Sequence, residues 1–272
     1  MYIELERERR RLRPGLIAAL RSIAPTAVEL SQWLRFVTYQ HSLEPLSCAG
    51  SLQNIGGRFN AGAELDHHAL KLRPWPALYL AQDYETAFRE KFQLPSSDVV
   101  DGLTPQDLAL EHGVSHTVVR VQASLRRVFD MTSHQSLVPV AQVLQRIKMP
   151  AQARQIQKKL KISSRTVSMV KTSQQVYDTA LTHNWRLRPI QFGLPAHSQV
   201  LAELIRAAGF EAILYQSTKG PGQCLAVFPD LLNDGSFIEL MDTPPPAVQH
   251  QRLDSDSAAE LEGWQSLPPS LR

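Results

Sequence analysis

Five short stretches of the chain carry side chains suited to polar chemistry. Arg35 stands inside the aromatic, β-branched run WLRFVTY. Arg58 follows two glycines in Gly56-Gly57-Arg58-Phe59-Asn60. Tyr79 lies in ALYL, and Glu90 comes eleven positions later. Ser217 follows the apolar run AILYQ, beside Gly220 and Gly222. Guanidinium groups pair with phosphate oxygens through planar double hydrogen bonds. Glycines 56 and 57 let backbone approach closely and can aim N–H groups at an anion. A carboxylate such as Glu90 stabilises positive charge that builds on a reacting carbon.

Each piece also has an ordinary explanation. A glycine pair makes a tight turn, an arginine a surface charge, and a helical glutamate an exposed side chain. Tyr79 and Tyr215 suit core packing with satisfied hydroxyls. Arg35 is harder to dismiss, because an arginine buried in a strand without a partner is costly. Ser217 has no His/Asp spacing that would make it a triad nucleophile. His67-His68 lacks helix spacing and Cys or Glu partners, so no metal is expected. The GPG at 220–222 is a turn rather than a phosphate loop, since no GKS/T follows.

The elements that must position these residues follow from periodicity. Residues 5–23 read as a charged helix interrupted at Pro14. Trp33–Tyr39, 77–80, 118–125, 212–215 and 224–228 read as strands. Asp83 is expected to cap a helix running through Phe92, with Tyr84, Phe88 and Phe92 as one aromatic stripe and Glu90 off it. Residues 138–147 and 151–160 read as helices split by Pro150. Ser198 is expected to cap a helix with Leu201, Leu204, Ile205 and Ala208 on one stripe, ending at Gly209. From 243 onward, TPPP and a Ser/Asp/Pro-rich run predict a disordered tail.

The chain has 272 residues, 43% hydrophobic and 20% charged, with a net charge of +3. This is ordinary globular composition, and the small excess does not by itself call for nucleic acid. No window reads as a membrane span, and residues 1–15 lack the apolar core of a secretory signal. Two cysteines, Cys48 and Cys224, cannot build a disulfide framework. A cytoplasmic location without membrane attachment is expected. Between Asp130 and Asp178 there is no acidic residue, while eight basic ones occur: Arg146, Lys148, Arg154, Lys158, Lys159, Lys161, Arg165 and Lys171. That stretch, 131–177, reads as a basic helical insertion and a partner-docking or regulatory surface.

Taken in order, the early arginine, GGRFN, the strand tyrosine, the helical glutamate and the Gly209-Phe210 turn leading to Tyr215-Gln216-Ser217 resemble the RES-domain family. The resemblance covers about residues 30–240, with Phe59 where the family usually has tryptophan and a longer gap before Leu78. It implies an α+β fold with a twisted, mixed, largely antiparallel sheet flanked by helices, similar to the ADP-ribosyltransferase toxins. It divides the chain into an N-terminal helical extension (1–29), the RES domain (30–242) and the tail (243–272).

The resemblance also implies a bacterial toxin of a toxin–antitoxin pair that cleaves the nicotinamide–ribose bond of NAD+. NAD+ would be substrate, inorganic phosphate an optional co-substrate, and no metal would be needed. Glu90, Arg58 and Ser217 would be catalytic. Arg35, Gly57, Arg58, Asn60, Tyr79 and Ser217 would bind NAD, with Arg35 and Arg58 converging on its pyrophosphate. A cognate antitoxin with a Cro-repressor-like DNA-binding domain is the implied partner. Phosphate, water or a protein side chain would give phosphorolysis, hydrolysis or ADP-ribosyl transfer, and the sequence does not separate them. A rival reading is a DNA-binding regulator, since 108–120 and 156–170 imitate helix-turn-helix motifs. It is the weaker one, so direct nucleic-acid binding is not expected.

Overall fold

The computed structural model describes residues 2–65, 72–94, 115–163 and 169–263. It is an α+β structure built on one seven-stranded sheet. The strands are β1 (Thr26–Thr38), β2 (Leu78–Ala81), β3 (His116–Met131), β4 (Ala212–Gln216), β5 (Gln223–Val227), β6 (Phe237–Leu240) and β7 (Arg252–Asp254). Every pairing is antiparallel except β3 with β4. The pairings β1–β2, β2–β5, β5–β4, β4–β3 and β3–β1 close a ring of five strands, and β6–β7 extends it from β3. The expected fold class, a mixed and largely antiparallel sheet flanked by helices, is what the chain forms.

Alternation along the strands separates two cores. On β5, Cys224 and Ala226 face one core while Leu225 and Val227 face the other; on β4, Ile213 and Tyr215 oppose Ala212 and Leu214. The first core is roofed by helices α1 (Tyr2–Arg21), α3 (Val138–Leu144), α5 (Ser173–Ala180) and α7 (His197–Ala207). Helices α2 (Tyr84–Phe92), α4 (Ala151–Lys159), α6 (Leu187–Phe192) and α8 (Ala258–Glu262) complete the set. Among the described residues, no helix is long and apolar enough to cross a membrane.

Several boundaries differ from the expectation. Segment 1–29 is not an appendage. α1 runs through Pro14 without a break and buries Leu12, Leu16 and Leu20 in the first core, and β1 begins at Thr26. The basic stretch is helical, but Leu137, Val140, Ala141, Val143 and Val176 lie in that same core, so it covers the sheet rather than standing apart. α7 is capped by Ala196, not Ser198, which lies buried inside the helix. The first helix-turn-helix imitation fails where it can be seen, because His116–Arg120 belong to β3. Residues 108–114 and 164–168, in the two imitations, and the His67-His68 pair lie outside the described residues.

The largest correction falls on residues 243–263 of the tail expected to be disordered; residues 264–272 lie outside the described residues. Strand β7 pairs with β6 at Phe237↔Asp254, Ile238↔Leu253 and Glu239↔Arg252, and α8 follows it. Leu253 and Leu261 are fully buried in the second core, and the Leu261 carbonyl accepts from the Cys48 N–H at 2.7 Å. Average composition missed this because a few apolar anchors suffice once a sheet edge offers backbone partners.

A buried carboxylate ties the sheet to the loop before β6. Glu211 accepts from the backbone of Arg126, Arg127 and Asn233, from Asn233 Nδ2 and from Ser236 Oγ. Burial raises its pKa, but the hydrogen bonds led by Asn233 outweigh that and hold it below the ordinary value.

Two measurements check these assignments. Leu253→Ala should lower unfolding free energy by about 2–5 kcal/mol in urea titrations, the usual result of emptying a buried leucine site; a disordered tail would leave it unchanged. The depressed Glu211 pKa contributes stability that is present above its unfolded value and lost as pH falls through the folded one. Stability of the wild type should therefore fall more steeply than that of Glu211→Gln on acidification below about pH 4.3.

Candidate active site

Glu90 is placed by what surrounds its helix. Asp83 caps α2, accepting from the Thr86 N–H at 2.8 Å. The expected aromatic stripe forms: Tyr84, Phe88 and Phe92 pack on Phe36 of β1 with ring centroids 5.3, 5.9 and 6.3 Å away. With that stripe anchored, Glu90 is half-buried and opens onto a cleft.

The second support is the 220–222 turn, which lies against the first turn of α2. The Gly222 N–H donates to Thr86 Oγ1 at 2.8 Å. A Cβ on Gly222 would stand 2.1 Å from Asp83 Oδ2, and one on Gly220 would stand 2.5 Å from Thr86 Cα. Only glycine permits this approach, and it brings Ser217 to Glu90. Ser217 Oγ donates to Glu90 Oε1 at 2.7 Å and accepts from the N–H groups of Lys219 and Gly220 at 3.0 and 2.9 Å. A hydroxyl has one proton and two lone pairs, so this one is fully used. In this arrangement Ser217 positions the carboxylate.

The GGRFN loop separates into framework and function. Gly56 has φ +80°, and a Cβ on Gly57 would stand 2.5 Å from the Tyr79 hydroxyl. Asn60 Oδ1 accepts from the Gly57 N–H at 2.8 Å and from the Tyr79 hydroxyl at 2.9 Å. Asn60 Nδ2 donates to the carbonyls of Ser51 and Trp75, and the Phe59 N–H donates to the Tyr79 hydroxyl. Gln199 Nε2 lies 2.9 Å from three carbonyls of the loop, Ile55, Gly57 and Asn60. Gly57 and Asn60, expected to bind NAD, are thus occupied in holding the loop and do not line the cleft. Of Tyr79, burial pushes the phenol pKa up; the residue lines the cleft while its hydroxyl serves the framework.

Arg58 emerges from this loop and is 4% exposed. Its Nη1 donates to the Thr182 carbonyl at 2.9 Å and its Nη2 to Thr218 Oγ1 at 2.7 Å, and it lies over the Trp185 ring at 5.9 Å. Arg35 Nη2 donates to the Ser47 carbonyl at 2.6 Å, and burial lowers its pKa. The Nε atoms of both arginines are buried without a hydrogen-bond partner among the described residues.

Arg35 and Arg58 open onto one cleft of about 400 Å³, together with Tyr79, Glu90 and Tyr215. Sequence reading missed further polar and aromatic members, among them His41, Glu44, Lys91, Trp185 and Arg186. Among the described residues that line the cleft, the cations Arg35, Arg58, Lys91 and Arg186 meet two acids, Glu44 and Glu90. Burial lowers the Lys91 pKa, with Arg35 adding to the effect. Burial also lowers that of Arg186, with Glu90 opposing and Arg58 reinforcing the shift. Burial and then Lys91 and Arg35 lower that of His41. Burial pushes the Cys224 thiol up, which makes it a packing group rather than a nucleophile. Among the described residues, no group of three or more His, Cys, Asp or Glu could hold a metal. The arrangement is a cationic cleft with a carboxylate fixed beside its cations.

A family model described as the RES domain matches residues 48–254. That range contains Arg58, Tyr79, Glu90, Trp185, Arg186 and Ser217, while Arg35 lies before it. A solved structure described as the M. tuberculosis MbcT–MbcA toxin–antitoxin complex contains a similar chain, with 13% identity, 91% of this chain and 96% of that chain covered, and a TM-score of 0.45. No curated protein matches the chain.

The close approach of the turn to α2 is open to direct test. Gly222→Ala should lower unfolding free energy by about 1–3 kcal/mol, because backbone or the capping aspartate must shift. Gly50→Ala, where an added methyl meets open space, should change it by less than about 0.5 kcal/mol. Equal values from urea titration would mean that the turn does not press on the helix.

Proposed function

We propose that this chain, which belongs to the RES domain family, is an enzyme that breaks the bond between nicotinamide and ribose in NAD+. The observation that carries the reading is the Glu90 carboxylate, held by Ser217 at 2.7 Å in a cleft otherwise dominated by arginine and lysine. A dinucleotide offers the matching pair of features: a dianionic pyrophosphate and, one ribose away, the carbon that becomes cationic.

The leaving group explains why one carboxylate is enough. Glycosidases usually need an acid to protonate the departing oxygen and a second carboxylate opposite it. Nicotinamide in NAD+ already carries the positive charge. When its C–N bond breaks, the electron pair stays on nitrogen, nicotinamide departs neutral, and the charge passes to the ribose. The remaining task is to stabilise that charge in the transition state more than in the ground state, and Glu90 is the group for it. Arg35 and Arg58 would take the pyrophosphate through their unpaired Nε donors, with Arg186 and Lys91 adding field. Tyr215 and Trp185 offer flat apolar faces for the rings. Water attacking the ribose carbon would give ADP-ribose, and phosphate would give its 1-phosphate.

In this reading the protein acts in the cytoplasm as the toxin of a toxin–antitoxin pair, restrained by a cognate antitoxin. Neither a metal nor a membrane is involved. Glu90→Gln keeps the hydrogen bond to Ser217 within reach but removes the charge. It should reduce NAD+ consumption by about 100-fold or more, roughly 2.7 kcal/mol of transition-state stabilisation, while circular dichroism and melting remain those of the wild type. Wild-type consumption by a folded Glu90→Gln protein would remove Glu90 from the mechanism.

A further inference from the structure

Away from the cleft, the acid-free stretch presents a surface that NAD+ cleavage does not use. Helix α4 is anchored by buried Ala153. The stripe that begins there continues at helical spacing through Ile156 and Leu160, which are 57% and 61% exposed. Ile162, just beyond, is also exposed. Arg154, Lys158, Lys159 and Lys161 flank the stripe, all exposed. At the other end of α4 lies a groove lined by Arg7, Glu8 and Arg11 of α1 and by Arg146, Lys148, Met149, Pro150 and Ala151. Pro150 is the N-cap of α4, so groove and helix form one continuous surface. It bears eight cations against one acid, and Glu8 is already paired with Arg11.

We propose that this surface docks an acidic amphipathic helix of a partner protein, with apolar residues on the Ile156–Leu160 stripe and carboxylates toward the flanking lysines and arginines. The combination selects the partner class. Nucleic acid calls for cations, with aromatic platforms when single strands are bound, and leaves exposed isoleucine and leucine unexplained. Helices that lie on membranes bury a broader apolar face, commonly with tryptophan or phenylalanine, and α4 has neither. A second copy of this chain would set one cationic face against another. A partner helix with apolar anchors at i and i+4 and acidic flanks satisfies both the stripe and the charge.

The test uses the whole chain and synthetic peptides of roughly three heptads, followed by fluorescence anisotropy. One peptide carries a leucine stripe with glutamate flanks, a second replaces the stripe by serine, and a third replaces the flanks by lysine. Only the first should bind. Binding should weaken at least about tenfold in Lys158→Glu/Lys159→Glu/Lys161→Glu and again in Ile156→Ser/Leu160→Ser. Both variants change exposed residues and should keep wild-type melting and NAD+ consumption, so this outcome is separate from the fate of the active-site reading. The proposal is overturned if the first peptide does not bind, if either variant binds it as the wild type does, or if the serine-stripe peptide binds equally. It is also overturned if duplex DNA or anionic vesicles bind this surface more tightly than the first peptide.

Discussion

The hydrogen bond from Ser217 to Glu90 is a short contact, but much of the site is arranged to permit it. The two residues are 127 positions apart in sequence and come from different parts of the fold. They meet because glycines 220 and 222 let a turn rest on the first turn of α2, while Phe36 holds the aromatic side of that helix against β1. A methyl group at either glycine would push the turn away. With its lone pairs taken by the Lys219 and Gly220 N–H groups, the Ser217 proton has one place to go. The carboxylate is thereby oriented by a neutral hydroxyl, with Arg186 and Lys219 close enough to feel its charge.

The same economy appears around Arg58. Asn60, Tyr79 and Gln199 Nε2 hold the loop that carries it. Buried polar networks are rigid when every member is satisfied. The unpaired donors are therefore informative by contrast: the Nε atoms of Arg35 and Arg58 stand out in a site where neighbouring groups are paired. Two buried guanidinium groups left partly unsatisfied in one cleft carry a cost that an anionic substrate would relieve, and this is the physical link between the structure and the proposed pyrophosphate.

Local pattern revealed five of the seven strands, the α2 helix with its Asp83 cap and aromatic stripe, and the glutamate that faces away from it. Those features are set by neighbours within a few positions, where periodicity applies. It did not reveal that Gly57 and Asn60 serve the loop, because their partners at Tyr79 and Gln199 are distant in sequence. Trp185 and Arg186 were missed for a similar reason. They follow α5 in a stretch without periodic pattern, and only the fold brings them to Arg58. The tail was misread because its few anchors, Leu253 and Leu261, are diluted by polar neighbours, and the edge of β6 that receives them is invisible to composition. The first strand began earlier than its aromatic core suggested, since pairing with the long β3 extends it.

The central claim is that the arginines hold a pyrophosphate intact while Glu90 acts at the ribose beyond it. The most direct measurement is incubation of the purified chain with NAD+, with and without inorganic phosphate, and identification of the products by mass spectrometry. Free nicotinamide is expected together with ADP-ribose or its phosphorylated or protein-linked form. Unchanged NAD+, or cleavage into AMP and nicotinamide mononucleotide, would contradict it.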